Sequence, residues 1–381
     1  MKICFVSAYP PNKGNLAEYG RYLVNEFIKH DLIKKIVVLA NYNPNSRKIE
    51  DFGKLKIVRC WKNNSLFIPI GITKVLKREK PDIVFFNLHM MSWGKTRIAN
   101  FLGNITPYLV KKFLKKKVIV SLHNIVEATD LDGLGIKSSM LNLFGSYLAT
   151  KFLLNTNKVV VTVSSFISLL NNKYGKTNIV YIPHGTLGKK VKNVRTGGKI
   201  ILTFGFWREN KNLPFLIKVF KELYEKDKEL KLIIAGDSHP NFPSYLKKIR
   251  RRYNNLKNVF FTGYVPENSL DKIFLSSTVI VLHYATATGT SGVVHLAASY
   301  GKPVIISDLP EIREIMKEEK LSLILVPKND REALKLAIQR IIANKKLQKD
   351  IGSKNLNIAE QMSFLNISKK YVKLFEEVLE E

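Results

Sequence analysis

Short apolar runs of about four to seven residues recur along the chain, and most are followed by a stretch of helix length whose apolar residues return every third or fourth position. The first run, Lys2 to Ala8, ends in a Pro-Pro turn, and Ala17 to Ile28 follows as an amphipathic helix. Lys35 to Ala40, Lys56 to Cys60, Ile83 to Asn87, Lys117 to Leu122, Val159 to Ser164 and Ile179 to Ile182 continue the series. Strands that alternate with helices predict a mainly parallel, doubly wound sheet. A polar stretch with Gly188, Gly197 and Gly198 then reads as a linker over residues 188–198.

Beyond it the pattern restarts. Lys199 to Phe204, Lys231 to Ala235, Asn258 to Phe261, Thr278 to Leu282, Pro303 to Ser307 and Leu321 to Val326 are the predicted strands. Leu213 to Lys226, Phe242 to Tyr253, Glu267 to Leu275 and Arg331 to Asn344 are helices between them. The fold class is therefore α/β with two Rossmann-like domains, 1–187 and 199–350, and a helical tail over 351–381 that is expected to pack across both. Its apolar stripe is Phe364, Ile367, Tyr371, Leu374, Phe375 and Val378. Two such sheets are expected to present the carboxyl ends of their strands to a shared cleft, where α/β proteins bind ligands.

Composition changes this picture in three respects. With 45% hydrophobic and 24% charged residues over 381 positions, the chain is an ordinary folded protein and neither disordered nor fibrous. Two cysteines, Cys4 and Cys60, are too few for a disulfide framework or a four-cysteine zinc site, and isolated thiols point to a reducing, cytoplasmic setting. The start, MKICFVSAYPP, lacks the regions of a signal peptide, and no run of about 18 apolar residues is present.

Charge adds more. The net charge is +31, and residues 1–190 hold 30 of the 62 cations but only 10 of the 31 carboxylates. A field of that sign favours nucleic acid, an anionic membrane or a phosphorylated substrate without choosing among them.

Three segments of the second half carry candidate chemistry. Phe204-Gly205-Phe206-Trp207-Arg208-Glu209-Asn210-Lys211 follows a strand; Gly205 permits a sharp turn, and Arg208 and Lys211 project where a diphosphate needs cations. Thr290, Ser291 and Gly292 open a helix, where small residues expose amides and hydroxyls to an anion. Glu311 and Glu314 follow the strand Pro303 to Ser307 and could accept hydrogen bonds from sugar or ribose hydroxyls. Taken singly, each reads more readily as a solvated loop, a capped turn or a surface carboxylate; the concurrence of the first two in one half favours the anion site. His123 closes a strand in the first half, Gly14 and Asn15 open its first helix, and Asp130-Leu131-Asp132 has a metal-binding spacing common by chance, so no metal is assigned.

These residues together resemble a family: the retaining nucleotide-sugar glycosyltransferases of the two-domain GT-B fold, specifically glycosyltransferase family 4. SAYPPNKGNLAEY, SLHN, VTVSS and YIPHG in the first half, and FGFWRENKN, IIAGD, FTGYVP, VLHY, SGVVHLAASYGKPVI and SDLPEIRE in the second, follow in the family's order. The resemblance implies a metal-independent hexosyltransferase without cofactor, whose donor is a nucleotide diphosphate sugar and whose acceptor is a saccharide or a lipid-linked molecule. It gives Lys211 the diphosphate, with Arg208 as its partner, although the family's arginine directly follows the glycine, where this chain has Phe206. His123 would lie beside the donor sugar, Gly14 and Asn15 would approach the donor from the other lobe, and Glu314 would match the family's glutamate, with Glu311 nearby.

The family's pair of glutamates is replaced here by Thr288 and Leu296. That resembles a subgroup with Thr/Ser-Gly at this helix start, in which Thr290, Ser291 and Gly292 take over the phosphate side; loss of activity is the other reading.

The cluster Lys111, Lys112, Lys115, Lys116 and Lys117 mixes cations with apolar neighbours and is expected to lie on an anionic membrane, which suggests a peripheral enzyme at the cytosolic face assembling glycans or glycolipids. Two rivals remain open: a nucleotide-sugar epimerase on the same fold, and a basic nucleic-acid-binding protein. The latter is disfavoured because the aromatics fall in apolar runs and not among the cations.

Overall fold

The computed structural model describes residues 1–12, 14–128, 139–239, 242–286 and 290–381. Asp130, Asp132 and Thr288 lie outside these residues, as does the side chain of Asn15. The described chain falls into two compact units, Met1–Gly185 with Phe364–Glu381, and Thr186–Ser363.

The first unit is built on an eight-stranded sheet. Its strands are β1 (Lys2–Val6), β2 (Lys35–Asn41), β3 (Ile49–Phe52), β4 (Leu55–Trp61), β5 (Ile83–Leu88), β6 (Lys117–Leu122), β7 (Lys158–Val161) and β8 (Ile179–Tyr181), in the order 3-4-2-1-5-6-7-8. Pairing is parallel except for β3 on β4. Runs such as Ile36 to Ala40 and Ile83 to Phe86 are wholly buried, as strands covered on both faces must be. The covering helices are α1 (Asn15–Phe27), α2 (Ile68–Glu79), α3 (Arg97–Leu114), α4 (Met140–Leu153) and α5 (Ser165–Tyr174). The chain crosses from one side of β1 to the other on reaching β5, so the sheet's switch point lies at the carboxyl ends of β1 and β5.

The second unit has six parallel strands, β9 (Ile200–Phe204), β10 (Lys231–Ala235), β11 (Val259–Gly263), β12 (Val279–Leu282), β13 (Val304–Ser307) and β14 (Ile324–Val326), in the order 11-10-9-12-13-14. Its switch point is β9 beside β12. Helices α6 (Leu213–Lys226), α7 (Tyr245–Arg252), α8 (Leu270–Ser276), α9 (Gly292–Ser299), α10 (Pro310–Glu318), α11 (Arg331–Ala343) and α12 (Lys345–Gln361) accompany it.

The structure differs from the sequence reading in three places. The antiparallel edge strand β3 is unforeseen, because its IEDF sequence is mostly exposed and shows no buried alternation; it is joined to β4 by a two-residue turn opened by Gly53 at φ 75°. The stretch 188–198 is not a free linker: Lys190 N–H donates to Ser299 O at 2.8 Å, Gly197 N–H donates to Gln348 Oε1 at 2.7 Å, and Val194 lies against the spaces beside Gly301 and Gly352. The tail is two helices. α12 belongs to the second unit, while α13 (Phe364–Glu380) belongs to the first. There the hydroxyl groups of Tyr371 and Ser121 are hydrogen-bonded at 2.9 Å, and Phe375 packs 5.5 Å from Phe27.

Candidate active site

The second unit brings two loops together at its switch point. After β9 the backbone turns at Gly205, φ 151°, and a Cβ built there would meet nothing within 4 Å, so a ligand could approach the bare backbone. On its other side the loop is tight: Gly236, leaving β10 at φ 105°, would put a Cβ 1.9 Å from Gly205 O. Buried Trp207 then anchors the loop, its N–H donating to Asp237 O at 2.8 Å and its indole N–H to Ala235 O at 3.1 Å.

That anchor sets Arg208 at the start of a short 3-10 turn over Glu209–Lys211. Arg208 Nε donates to Asn210 Oδ1 at 2.9 Å, the Asn210 amide donates to Thr286 O at 3.3 Å, and Ala285 N–H donates to Asn210 O at 2.8 Å. Asn210 thereby laces the loop after β9 to the loop after β12. Lys211 reaches across the same seam, its Nζ 3.4 Å from the centroid of the buried Tyr284 ring, a cation–π contact. The Tyr284 hydroxyl is 3.4 Å from Ser291 Oγ.

Ser291 caps α9, whose first turn opens on the exposed Gly292. No side-chain bond occupies that cap, and the first amides of a helix together with its dipole attract an anion. The structure thus joins Gly205, Arg208, Lys211 and Ser291 through direct contacts and loop lacing, with Thr290 and Gly292 beside Ser291 in the chain. Asn210 and Tyr284 were not singled out by sequence reasoning. The signal for Asn210 was its place between two cations; Tyr284 had none beyond following a strand.

Electrostatics mark this seam. Burial, and secondarily the Arg208 guanidinium, lowers Lys211 to about 7, and burial lowers Arg208 from its ordinary value. Among the described residues no carboxylate is ion-paired with either. Two desolvated cations without counter-charge, facing a helix amino end, form a site that gains from an anion. Burial also pushes Tyr284 up to about 12, against the Ser291 hydrogen bond, so it stays a neutral phenol.

Behind α9, His295 Nδ1–H donates to Ser291 O at 3.0 Å and Nε2 meets Glu319 Oε2 at 2.7 Å, both side chains buried. Burial opposes charge on His295, but Glu319 and the Ser291 carbonyl outweigh it and raise its pKa. His283, closing β12, stacks on Phe215 at 4.4 Å and accepts from Asn329 N–H at 3.4 Å; burial lowers it to about 4. Glu311 stands half-buried on the first turn of α10 and Glu314 half-buried on the next, one strand along the same carboxyl edge. Burial first, then Glu314, raises the Glu311 carboxyl. Leu296, in place of the family's second glutamate, is half-buried on α9.

In the first unit, Gly14 follows β1 at the start of α1 with φ 147° and nothing within 4 Å of a Cβ, while its carbonyl accepts from Ala17 and Glu18 N–H at 3.1 Å. Asn15 begins the helix. His123, 5% exposed after β6, has Nε2 at 2.6 Å from Asn87 Oδ1, and the Asn87 amide donates to Ser7 Oγ at 3.0 Å. That chain places the proton on Nε2 and leaves Nδ1 as the acceptor. The Tyr19 ring meets His123 edge-on at 4.6 Å. Burial, followed by His89 and His184, holds His123 well below the ordinary imidazole range, so it is neutral at physiological pH.

The lysine cluster lies elsewhere on this unit. α3 ends at Leu114 with Lys115 left-handed (φ 48°), and Lys117 begins β6, so the cluster is at the amino ends of the strands, opposite His123 and Gly14. Lys111 is tied inward, Nζ to Asn155 O at 3.0 Å, with its pKa lowered by burial, and Lys112 lies 5.7 Å over the Tyr108 ring. Lys116 is half-buried.

Comparison with known proteins fits this geometry. Residues 187–357 match the family described as Glycosyl transferases group 1. An uncharacterized glycosyltransferase of Methanocaldococcus jannaschii is 26% identical over 189 residues, 49% of this chain and 47% of that protein; another, of Haemophilus influenzae, is 23% identical over 236 residues, 61% and 64%. The matched stretch thus spans about half to under two thirds of these relatives' length. Among solved structures, sucrose-phosphate synthase from Thermosynechococcus elongatus superposes with a TM-score of 0.78 at 17% identity, covering 100% of this chain and 99% of that one. HepE of Anabaena in complex with UDP-glucose gives 0.70 at 15%, covering 99% and 100%. In fold, the two α/β units with their mainly parallel sheets match the GT-B class.

Proposed function

We propose that the chain is a glycosyltransferase that moves a sugar from a nucleotide diphosphate sugar to a saccharide or lipid-linked acceptor, retaining the anomeric configuration and needing no metal. The observation that carries this reading is the pair Arg208 and Lys211, desolvated, without a carboxylate, and laced to the amino end of α9. A diphosphate supplies the missing charge. As the bond from the sugar's anomeric carbon to the phosphate oxygen breaks, negative charge grows on the departing nucleotide diphosphate, and the two cations with the α9 amides stabilise it.

The acceptor hydroxyl forms the new bond on the face the phosphate leaves, and its proton passes to the departing phosphate oxygen. His123, neutral with Nδ1 free to accept, orients a sugar hydroxyl and does not act as an acid. Gly14 and Gly205 give a substrate access to bare backbone. HepE, solved with UDP-glucose, supports a nucleotide-sugar donor. Neither the epimerase nor the nucleic-acid reading is favoured by the family match or by the curated relatives, which are described as glycosyltransferases.

The test is calorimetric titration with UDP, GDP and ADP and their sugar conjugates at physiological salt without metal, with Lys211→Ala alongside. Micromolar binding of one nucleotide, weakened at least tenfold in Lys211→Ala with an unchanged melting temperature, is the expected result. No binding of any nucleotide, or equal affinity in the variant, overturns the reading.

A further inference from the structure

Among the described residues, nine of the twenty large apolar side chains that stay exposed belong to the loops and first turns of α2, α3 and α4. At α2 these include Leu66, Phe67 (70% exposed) and Ile70. α3 contributes Ile98 at 63%, and α4 contributes Met140 at 88%, Leu141 and Phe144.

These three helix starts adjoin one another. The Asn64 side chain accepts from Thr96 N–H at 3.0 Å and its own N–H donates to Trp93 O at 2.8 Å, so the loop entering α2 is bound to the loop entering α3. α3 packs on α4 with Tyr108 beside Phe152 (5.0 Å) and Lys111 beside Asn155 (3.0 Å). The two contacts rise together along both segments, so α3 and α4 run parallel, with their first turns at the same end. All three helices follow parallel strands, so their first turns stand at the carboxyl ends of β4, β5 and β6, the edge that also carries His123.

Charge decides what such a surface would meet. Lys62, Lys95 and Arg97 are exposed in the same loops. Between Lys62 and Asn104 the only carboxylates are Glu79, at the far end of α2 and paired with Lys2 and Lys56, and Asp82 before β5. From Ser139 to Asn178 there is none, although the sequence leading into α4 carries Asp130, Asp132 and Glu127, the last with its side chain buried and hydrogen-bonded by the Tyr174 hydroxyl. An apolar patch of this extent is uncommon on a free surface. Rimmed by Lys62, Lys95 and Arg97 around the starts of α2 and α3, it has the composition of a surface that enters the headgroup layer of an anionic bilayer.

We propose that the first turns of α2, α3 and α4 form a membrane-docking surface for anionic lipid. It replaces the Lys111–Lys117 cluster, which lies on the opposite edge of the sheet. The surface deepens the transferase reading by placing a lipid-linked acceptor on the same edge as His123, and only that link rests on the reading; lipid binding itself does not.

The experiment is co-sedimentation with vesicles of phosphatidylcholine alone and with a quarter phosphatidylglycerol, at physiological salt. The variants are Phe67→Ser/Ile70→Ser, Leu141→Ser/Phe144→Ser, Lys95→Gln/Arg97→Gln and Lys115→Gln/Lys116→Gln. The expected result is binding that requires phosphatidylglycerol, falls at least tenfold in either apolar pair and severalfold in Lys95→Gln/Arg97→Gln, and is retained in Lys115→Gln/Lys116→Gln. Circular dichroism and nucleotide titration on the same samples show that each variant is folded and separate failure of docking from failure of the transferase reading. Absent wild-type binding, unchanged binding in both apolar pairs, loss confined to Lys115→Gln/Lys116→Gln, or a solution dimer that the apolar substitutions dissociate without any lipid binding would each overturn the proposal.

Discussion

Lys211 carries a proton only part of the time near pH 7, because burial beside Arg208 lowers it to about 7. A diphosphate binds the protonated form, so complex formation takes up a proton whenever the free lysine is neutral. Affinity for the preferred nucleotide is therefore expected to be flat below about pH 7 and to fall by up to tenfold per unit above it; Lys211→Arg, which stays charged, should flatten the profile. Titrations from pH 6 to 9 check this.

His283 titrates with the opposite consequence for the fold. Its folded value of about 4 lies below the ordinary imidazole value near 6.5, so the unfolded chain binds the extra proton in that window. Stability from this group is complete above about pH 6.5 and is lost as pH falls toward 4, by about 3 kcal/mol in all. Denaturant unfolding at pH 7 and pH 4.5 should show the difference, reduced in His283→Gln. The cations of this site were legible in the sequence as charges in a loop after a strand. Asn210 and Tyr284 were not, because they become neighbours of Arg208 and Lys211 only when β12 pairs with β9, a contact between segments some 75 residues apart that no local pattern encodes.

Elements that are buried on both faces were the ones the sequence revealed, since a strand such as Ile36 to Ala40 has to be apolar throughout. β3 escaped notice for the converse reason: an exposed edge strand is free to be polar. The stretch 188–198 was misread because glycines and lysines give a flexible composition, whereas Gly197 and Gly198, both at φ 87°, let a strap follow the surface of the second unit and return hydrogen bonds to it. Glycine also limits the candidate site at the scale of its loops. Gly236→Ala would force a Cβ to within 1.9 Å of Gly205 O at a φ of 105°, costing about 1–3 kcal/mol in backbone strain alone and displacing the loop that bears Arg208. Lower thermal stability together with at least tenfold weaker nucleotide binding is expected. Gly103→Ala, whose Cβ would come within 2.2 Å of the Trp93 ring, should cost a comparable 1–3 kcal/mol by overpacking yet leave nucleotide affinity unchanged, since it perturbs only α3 of the other unit. Comparing the two variants separates a stability effect from a site effect.

At the scale of the whole chain, two α/β halves were legible because the strand-helix pattern stops and restarts. The return of the C-terminus to the first half was not, because an amphipathic stripe states that a helix must be buried without stating against what. α13 resolves this with side chains: Ser368 Oγ is 2.9 Å from His30 Nε2, Tyr371 lies 5.0 Å from Phe85, and Phe364 covers Tyr19 at 5.2 Å. Removing α13 by a stop after Ser363 would strip the first unit of Phe364, Ile367, Tyr371, Val372, Leu374, Phe375 and Val378, all buried. At about 1.5–3 kcal/mol for each large apolar side chain, that loss matches or exceeds the roughly 5–15 kcal/mol by which a domain is folded. The second unit, Thr186–Ser363, loses no residue, and its Arg208–Lys211 seam is made entirely of its own loops. The truncated chain is therefore expected to show one cooperative calorimetric transition where the full chain has the heat of two units, to expose the first unit to protease, and to keep nucleotide diphosphate affinity within a few-fold. Loss of nucleotide binding on truncation would mean that the first unit contributes directly to holding the diphosphate, and His123 and Gly14 would be the residues to substitute next.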